Sequence, residues 1–463
     1  MIFGPARDGG AFLFFVGSEI TIIYSYYFTL FSYMIEQMFL IGANECMVNR
    51  VIMHVDANSA YLSWEAVWRL QHGDSLDLRT VPSVVGGDPL TRHGIVLAKS
   101  IPAKKFGIQT GESIFTAHAK CPDLVIVPPN YQLYMQCSSA LGDVLRQYSS
   151  AVEQYSIDEY FLDYTHSTKL FGDPVKVAHL IKDRIKAELG FTVNIGVSSN
   201  KLLAKMGGEL KKPDMVHTLF PEEMPNKLWP LEVEELFGVG RATSRKLRDR
   251  SIRTIGDLAH ADPRRLELFL KSYGRLIWNF ANGRDESPVR QNRRVLIKGI
   301  GNSTTISFDV EDARTAHLVI LSLVESVATR LRQAEYLANL VSVSIRTNEF
   351  YSYSHQKKLF TPTDSTNRIH EVACALFDEA WREEPVRHLG VRVSELCTNS
   401  FIQMSLFERN TEKERAMDRV VDGIRNRFGL GAVARASFLH SGLNAMTGGT
   451  VTDEEYPMMS SLL

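Results

Sequence analysis

The chain has 463 residues, 44% hydrophobic and 23% charged, with a net charge of −1 at neutral pH. Such a composition excludes a disordered, collagen-like or membrane-filling chain, and the length gives room for about three or four domains at roughly 100–200 residues each. Cys46, Cys121, Cys137, Cys374 and Cys397 lie far apart with no CxxC pair or His/Cys cluster, so neither a zinc site nor a disulfide framework is expected.

In chain order, the first 46 residues stand apart. ITIIYSYYFTLFSYMI (20–35) is apolar and uncharged, but Glu19 and Glu36 interrupt it short of the roughly 20 residues a membrane helix needs. No basic start and no small-residue cleavage site mark a signal peptide. Met47 precedes a clean strand start. Residues 1–46 are read as an extension without functional weight, and no stable membrane association is expected. A membrane-anchored phosphotransferase is the reading that would need segment 20–42 as an anchor.

RVIMHVD (50–56) reads as a buried strand with a polar tip, Asp56. Tyr61, Trp64, Val67 and Trp68 then recur at helical spacing, with Asn58 or Ser59 as the cap. Residues 71–124 are mixed, Gly-rich and basic. AVEQYS and YFLDYT are two short strands around IDE, where Asp158 and Glu159 stand side by side. Neighbours in a strand point to opposite faces, so one of the two would aim at the core, at a cost unless a turn or a positive charge meets it. An amphipathic helix (173–190) stopped by Gly190 and a strand, FTVNIGVS (191–198), follow.

With 71–150 set aside, the order is strand, helix, strand, strand, helix, strand: the split βαβ pattern of a ferredoxin-like sheet. Its first and third strands are central neighbours. Asp56, Asp158 and Glu159 then converge at one sheet end, too close to stay ionised without cations. Hard oxygen ligands of this kind suit Mg²⁺.

Beyond KKPD (211–214) the chain turns helical and basic, with 14 Lys/Arg against 6 Asp/Glu from Gly238 to Arg294. LFGVGRATSRKLRDRSIRTIGDLA (236–259) reads as a short helix, a turn through Gly238 and Gly240, and a second helix. Arg241, Arg245, Lys246 and Arg248 follow the turn. Exposed backbone N–H groups backed by these cations favour phosphate binding over a merely solvated helical face. A polar linker (285–299) leads to a second strand–helix–strand–strand–helix–strand series, with helices near 312–334 and 366–382. Arg346, Lys357, Lys358, Arg387 and Arg392 on its strands suit a sheet that contacts a nucleic-acid backbone. FIQMSLFERN (401–410) is an isolated apolar patch, followed by a charged helix and a loose C-terminus.

HVDANSAYLSWE (54–65), YSIDEYFLDYT (155–165), NIGVSSNKLLAKMGGELKKP (194–213), LFGVGRATSRKL and QMSLFE (403–408) together resemble the Y-family translesion DNA polymerases of the bacterial DNA polymerase IV type. The resemblance runs from about residue 50 to 437 in the family's own order. It implies a multidomain α+β protein: a ferredoxin-like palm (47–70 and 125–220), inserted fingers (71–124), a helix-hairpin-helix thumb (221–292), a linker and α+β little finger (293–397), and a clamp-binding peptide with tail (398–463).

The implied reaction is template-directed addition of deoxynucleotides to a primer 3′ end, without proofreading, using two Mg²⁺ per active site. By resemblance, Asp56, Asp158 and Glu159 are catalytic and hold the metals, with the Ala57 carbonyl completing a shell. Tyr61 aligns with the steric gate that rejects ribonucleotides. Lys201 and Lys104 would meet the triphosphate. Lys104 stands where the family usually has arginine, and Ile101 where a tyrosine often hydrogen-bonds the triphosphate, so weaker nucleotide binding is expected. Gly238, Gly240, Arg241, Arg245 and Lys246 would bind DNA. Gln403, Leu406 and Phe407 would hold the replicative sliding clamp. Implied partners are primed DNA and deoxynucleoside triphosphates, with the protein a cytoplasmic monomer. The alternative is a non-catalytic DNA- and clamp-binding relative, against which all three carboxylates speak.

Overall fold

The structure, a computed structural model, describes residues 50–87, 92, 94–290, 297–398 and 412–446. The 1–46 extension and the peptide with Gln403, Leu406 and Phe407 lie outside the described residues. Among the described residues no helix is long and apolar enough to cross a membrane.

The palm is a five-stranded sheet in the order β5-β6-β1-β7-β8. Its strands are β1 (Ile52–Ala57), β5 (Val152–Gln154), β6 (Glu159–Asp163), β7 (Val193–Ser198) and β8 (Val216–Thr218). β1 is buried at every position, with β6 and β7 antiparallel on either side. The expected central pairing of the first and third strands of the motif is present. Alternation along β1 sends Met53, Val55 and Ala57 into the main core, with Trp64, Tyr134, Tyr160 and Ile181. Ile52 goes to the opposite face, where Ala204 of the Lys201–Glu209 helix covers it beside Phe161 of β6, and His54 and Asp56 share that face. Gly196 in β7 permits this close cover: a Cβ there would lie 1.9 Å from the Ala204 carbonyl oxygen.

The fingers are a three-stranded sheet, β3-β2-β4, of β2 (Ser83–Gly86), β3 (Val96–Lys99) and β4 (Val125–Val127). β4 pairs in parallel with β2. The fingers sheet therefore runs past the boundary expected at residue 124, because the partner of an isolated apolar run is not marked locally. In the thumb, the helices Arg241–Arg248, Ile255–His260, Pro263–Leu270 and Ser272–Ala281 pack around Leu236, Leu247, Ile255 and Ile277. The expected short helix before Gly238 is a single 3₁₀ turn, Val233–Glu235.

The little finger is a four-stranded antiparallel sheet, β11-β10-β12-β9, of β9 (Gly299–Val310), β10 (Tyr336–Thr347), β11 (Ser352–Thr363) and β12 (Val386–Thr398). The Ala313–Gln333 and Thr366–Ala380 helices cover one face. The charged helix is present as expected, and the C-terminus after it is not loose throughout, since Phe438 is buried and Arg435 pairs with Glu325. The Glu412–Phe428 helix docks on this layer through Arg332–Asp422 at 2.6 Å, Arg425–Glu325 at 2.7 Å and the Arg415–Asp364 pair.

Candidate active site

β1 ends and β6 begins at the same level of the sheet. Asp56 is directly opposite Glu159 in the register, and the Ala57 amide donates to the Asp158 carbonyl at 3.0 Å. The chain then turns through Ser59, in the left-handed region at φ 47°, into the Ala60–Gln71 helix. Neither expected cap forms: the Asn58 amide donates to Thr192 Oγ1 at 3.2 Å, and Ser59 makes no side-chain cap. The hairpin turn thus gathers Asp56, Asp158, Glu159 and the Ala57 backbone at one sheet end.

The carboxylates do not all point together. Oxygens of Asp56, Glu159 and Glu209 lie within 4.8 Å of one another. The Asp158 carboxylate instead accepts from Ser156 Oγ at 2.6 Å. Burial pushes the Asp56 carboxyl up to about 7, with Lys212 opposing and Glu159 and Asp158 adding to the rise. Burial likewise raises Asp158, against the pull of the Ser156 hydroxyl. Glu159 goes the other way: burial would raise it, but the His54 ring and the Lys205 ammonium hold it below the usual range. Burial also holds His54 below its ordinary value. These hard carboxylate oxygens, crowded and partly desolvated, fit a divalent cation, which would relieve their mutual repulsion.

Three lysines come from the Lys201–Glu209 helix and the segment after it, and they part ways. Lys201, expected at the triphosphate, is only 1% exposed and binds both oxygens of Glu153 at 2.8 and 3.0 Å. A lysine so enclosed does not meet a soluble triphosphate, so the Lys201 expectation is corrected. Lys205 reaches Glu159 Oε1 at 2.6 Å. Lys212, exposed, bonds Asp56 and also Glu209 at 2.7 Å. Glu209, Lys205 and Lys212 were missed in the sequence. The signal available was the i, i+4 spacing of Lys205 and Glu209, which puts both on one helical face.

Tyr61 stands one turn beyond the Asp56 strand end, half-buried. Its ring stacks on Tyr134 at 4.6 Å and 9° and meets Tyr131 edge-on at 6.1 Å. Lys104 is exposed at the end of the Ile101–Lys105 fingers helix, and Ile101, 53% exposed, opens it. In the thumb, Gly238 is at φ +89°, where a side chain is strained, and its carbonyl accepts from the Tyr273 hydroxyl. Gly240 begins the Arg241–Arg248 helix with open space where its Cβ would be. Arg241, Arg245 and Lys246 are exposed beside it. The open face of the little-finger sheet carries Ser342, Ser344, Arg346 and Arg392, opposite in alternation to the buried Val341, Val343, Ile345, Val391 and Val393.

The chain matches the impB/mucB/samB family over residues 55–209 and the C-terminal domain of that family over residues 297–406. It is 45% identical to DNA polymerase IV of Clostridium acetobutylicum over 393 residues, covering 85% of this chain and 99% of that one. DNA polymerase IV of Acetivibrio thermocellus is 40% identical over 403 residues, covering 86% and 100%. The chain belongs to the Y-family DNA polymerases. It is a DNA-directed DNA polymerase, a nucleotidyltransferase of the translesion type, and the non-catalytic alternative is not favoured. Among solved structures, a Y-family DNA polymerase chimera of Dbh and Dpo4 shares the fold, with a TM-score of 0.64, 24% identity, and coverage of 75% of this chain and all of that one. Membership brings primed DNA, deoxynucleoside triphosphates and a divalent metal as the polymerase's working set.

Proposed function

We propose that this polymerase performs nucleotidyl transfer at the β1/β6 sheet end, with Asp56, Asp158, Glu159 and the Ala57 carbonyl as the ligands of two Mg²⁺ ions. The observation that carries the proposal is the register pairing of Asp56 with Glu159 beside Asp158, with Asp56 and Asp158 both raised by burial. When bound, the ions supply charge neutralisation at the triphosphate and a lowered pKa at the primer hydroxyl. Lys212, beside Asp56 and within reach of solvent, is placed to take triphosphate charge, the role that Lys201 cannot fill. Lys104 adds charge from the fingers without the two-pronged geometry of arginine. Tyr61, held flat by Tyr134, presents a fixed ring beside the strand end and excludes a 2′-hydroxyl by contact.

The hairpin backbone at Gly238 and Gly240, with Arg241, Arg245 and Lys246, grips a DNA phosphate. The open little-finger face tracks the duplex backbone without reading bases. Gln403, Leu406 and Phe407 dock in the sliding clamp, and the polymerase works as a cytoplasmic monomer. Primer extension with Mg²⁺ tests the site. The wild type extends the primer, while folded, DNA-binding Asp158→Ala does not. Extension by Asp158→Ala at the wild-type rate would overturn the assignment.

A further inference from the structure

We propose that Lys205 is a positioning residue that couples the DNA-gripping hairpin of the thumb to Glu159 in the palm. The inference rests on the reading that Glu159 is a metal ligand and that the hairpin binds DNA. Lys205 is almost fully buried, and its ammonium has three kinds of neighbour. It donates to Glu159 Oε1 at 2.6 Å. It lies 5.5 Å from the centre of the Tyr155 ring, in the palm turn that precedes Glu159. It lies 5.7 Å from the centre of the Phe237 ring, in the thumb.

Phe237 is the residue immediately before Gly238. Its amide points at Met206 Sδ at 3.4 Å, so the hairpin backbone is tied to the helix position next to Lys205. Its ring also meets Phe280 of the last thumb helix, at 6.2 Å. One lysine side chain is therefore held between the proposed metal-site carboxylate and the root of the proposed phosphate-binding loop. Ammonium–aromatic attraction is directional enough to be felt when either ring shifts.

On the far side, His54 Nε2 lies 3.7 Å from Glu159 Oε2, beyond hydrogen-bond length. The orientation of Glu159 is thus set from the Lys205 side. A phosphate seated on Gly238–Gly240 fixes Phe237; Phe237 fixes the ammonium; the ammonium orients Glu159 for its cation. DNA in the thumb and metal in the palm then reinforce each other, and the coupling is reciprocal.

The test is Mn²⁺ binding to the full-length protein, followed by the free-ion electron paramagnetic resonance signal, with and without primed DNA and against a DNA-only baseline. For the wild type, DNA tightens Mn²⁺ binding by about tenfold. In Phe237→Leu that tightening is lost, although Mn²⁺ binding without DNA persists and DNA affinity by anisotropy stays within about threefold, and in Lys205→Met the tightening is lost as well. The double variant is no worse than either single one, because both break one link. Phe237→Leu leaves the Lys205–Glu159 pair in place and keeps the test open if Lys205→Met fails to fold. DNA-linked tightening that survives in the variants, is absent from the wild type, or falls additively in the double variant overturns the coupling. Primer extension on the same samples separates the two claims: a wild type that extends while Asp158→Ala does not leaves the catalytic reading standing even if the coupling fails.

Discussion

The palm and the little finger are written in the same order of elements, yet they close into different sheets. Each runs strand, helix, hairpin, helix, strand. In the palm the second strand of the hairpin is inside, with β6 between β5 and β1. In the little finger the first strand is inside, with β10 between β11 and β12. The difference follows the apolar residues. β6 buries Tyr160, Phe161 and Leu162, whereas β5 is only Val-Glu-Gln. β10 buries Leu337, Ala338, Val341, Val343 and Ile345, whereas β11 reads SYSHQKKLFTPT and is mostly exposed. Polar residues on both faces mark an edge strand, and a run that feeds the core takes the inside place.

The consequence is functional. The inside strand of the palm hairpin starts at Glu159, beside Asp56. Among the described residues the little finger has no such carboxylate cluster, and its open face carries serines with Arg346 and Arg392. On the proposed function, one sheet would place charge for chemistry at a strand end and the other would spread it on a face for grip.

That division makes the buried charges of the two sheets unequal, and variants can expose it. The largest effect is expected from Asp56→Asn, which removes a ligand with almost no change of shape. Single-turnover extension should fall by about 1,000-fold, or ~4 kcal/mol of transition-state stabilisation, with DNA affinity within about threefold. Glu325→Gln in the little finger strips the shared partner from buried Arg425 and from Arg435. It should cost about 3 kcal/mol in denaturant unfolding of that domain and its docked tail, without slowing extension by protein that remains folded. Tyr61→Ala removes the ring stacked on Tyr134, and ribonucleotide rejection should drop by about tenfold to a hundredfold in competing incorporation assays. Arg346→Ala with Arg392→Ala should weaken DNA binding by about tenfold and lower the salt slope by about two, equally for all sequences.

The smallest effect is on pH dependence. The folded, cation-free protein holds Asp56 at about 7 against an ordinary 3.8, so within that window it binds a proton the unfolded chain does not. Its stability therefore falls as pH rises through that window. A divalent cation should offset the loss, so the rise in Tm on adding Mg²⁺ should be larger at pH 8 than at pH 5.5. No such difference should come from the little finger.

The sequence was most legible where covalent order and strand alternation decide the outcome. Asp56 and Glu159 meet because the first and third strands of the palm motif pair, and the register is short. The two long helices of the little finger start within a residue of their expected positions because Asp312 and Ser365 cap them. What the sequence hid depends on packing across distance. Which of Lys201, Lys205 and Lys212 meets a carboxylate at the sheet end is set by how the Lys201–Glu209 helix lies on Gly196, and Lys201 was read the wrong way round for that reason. The charged tail helix is legible as a helix, but its docking is not, because Glu325, Arg332 and Asp364, which bury its charges, stand far back in the chain. Strand order in the little finger was hidden for the same reason, since element order is shared and only side-chain burial separates the two sheets.

The most direct test sets the Asp56→Asn protein beside the Arg346→Ala/Arg392→Ala protein in single-turnover primer extension across a full DNA titration. The expected result is a rate lost at saturating DNA with affinity kept for the palm variant, and affinity lost with the saturating rate kept for the little-finger variant. A palm variant that extends at the wild-type saturating rate, or a little-finger variant whose saturating rate collapses, would contradict the division of chemistry and grip between the two sheets.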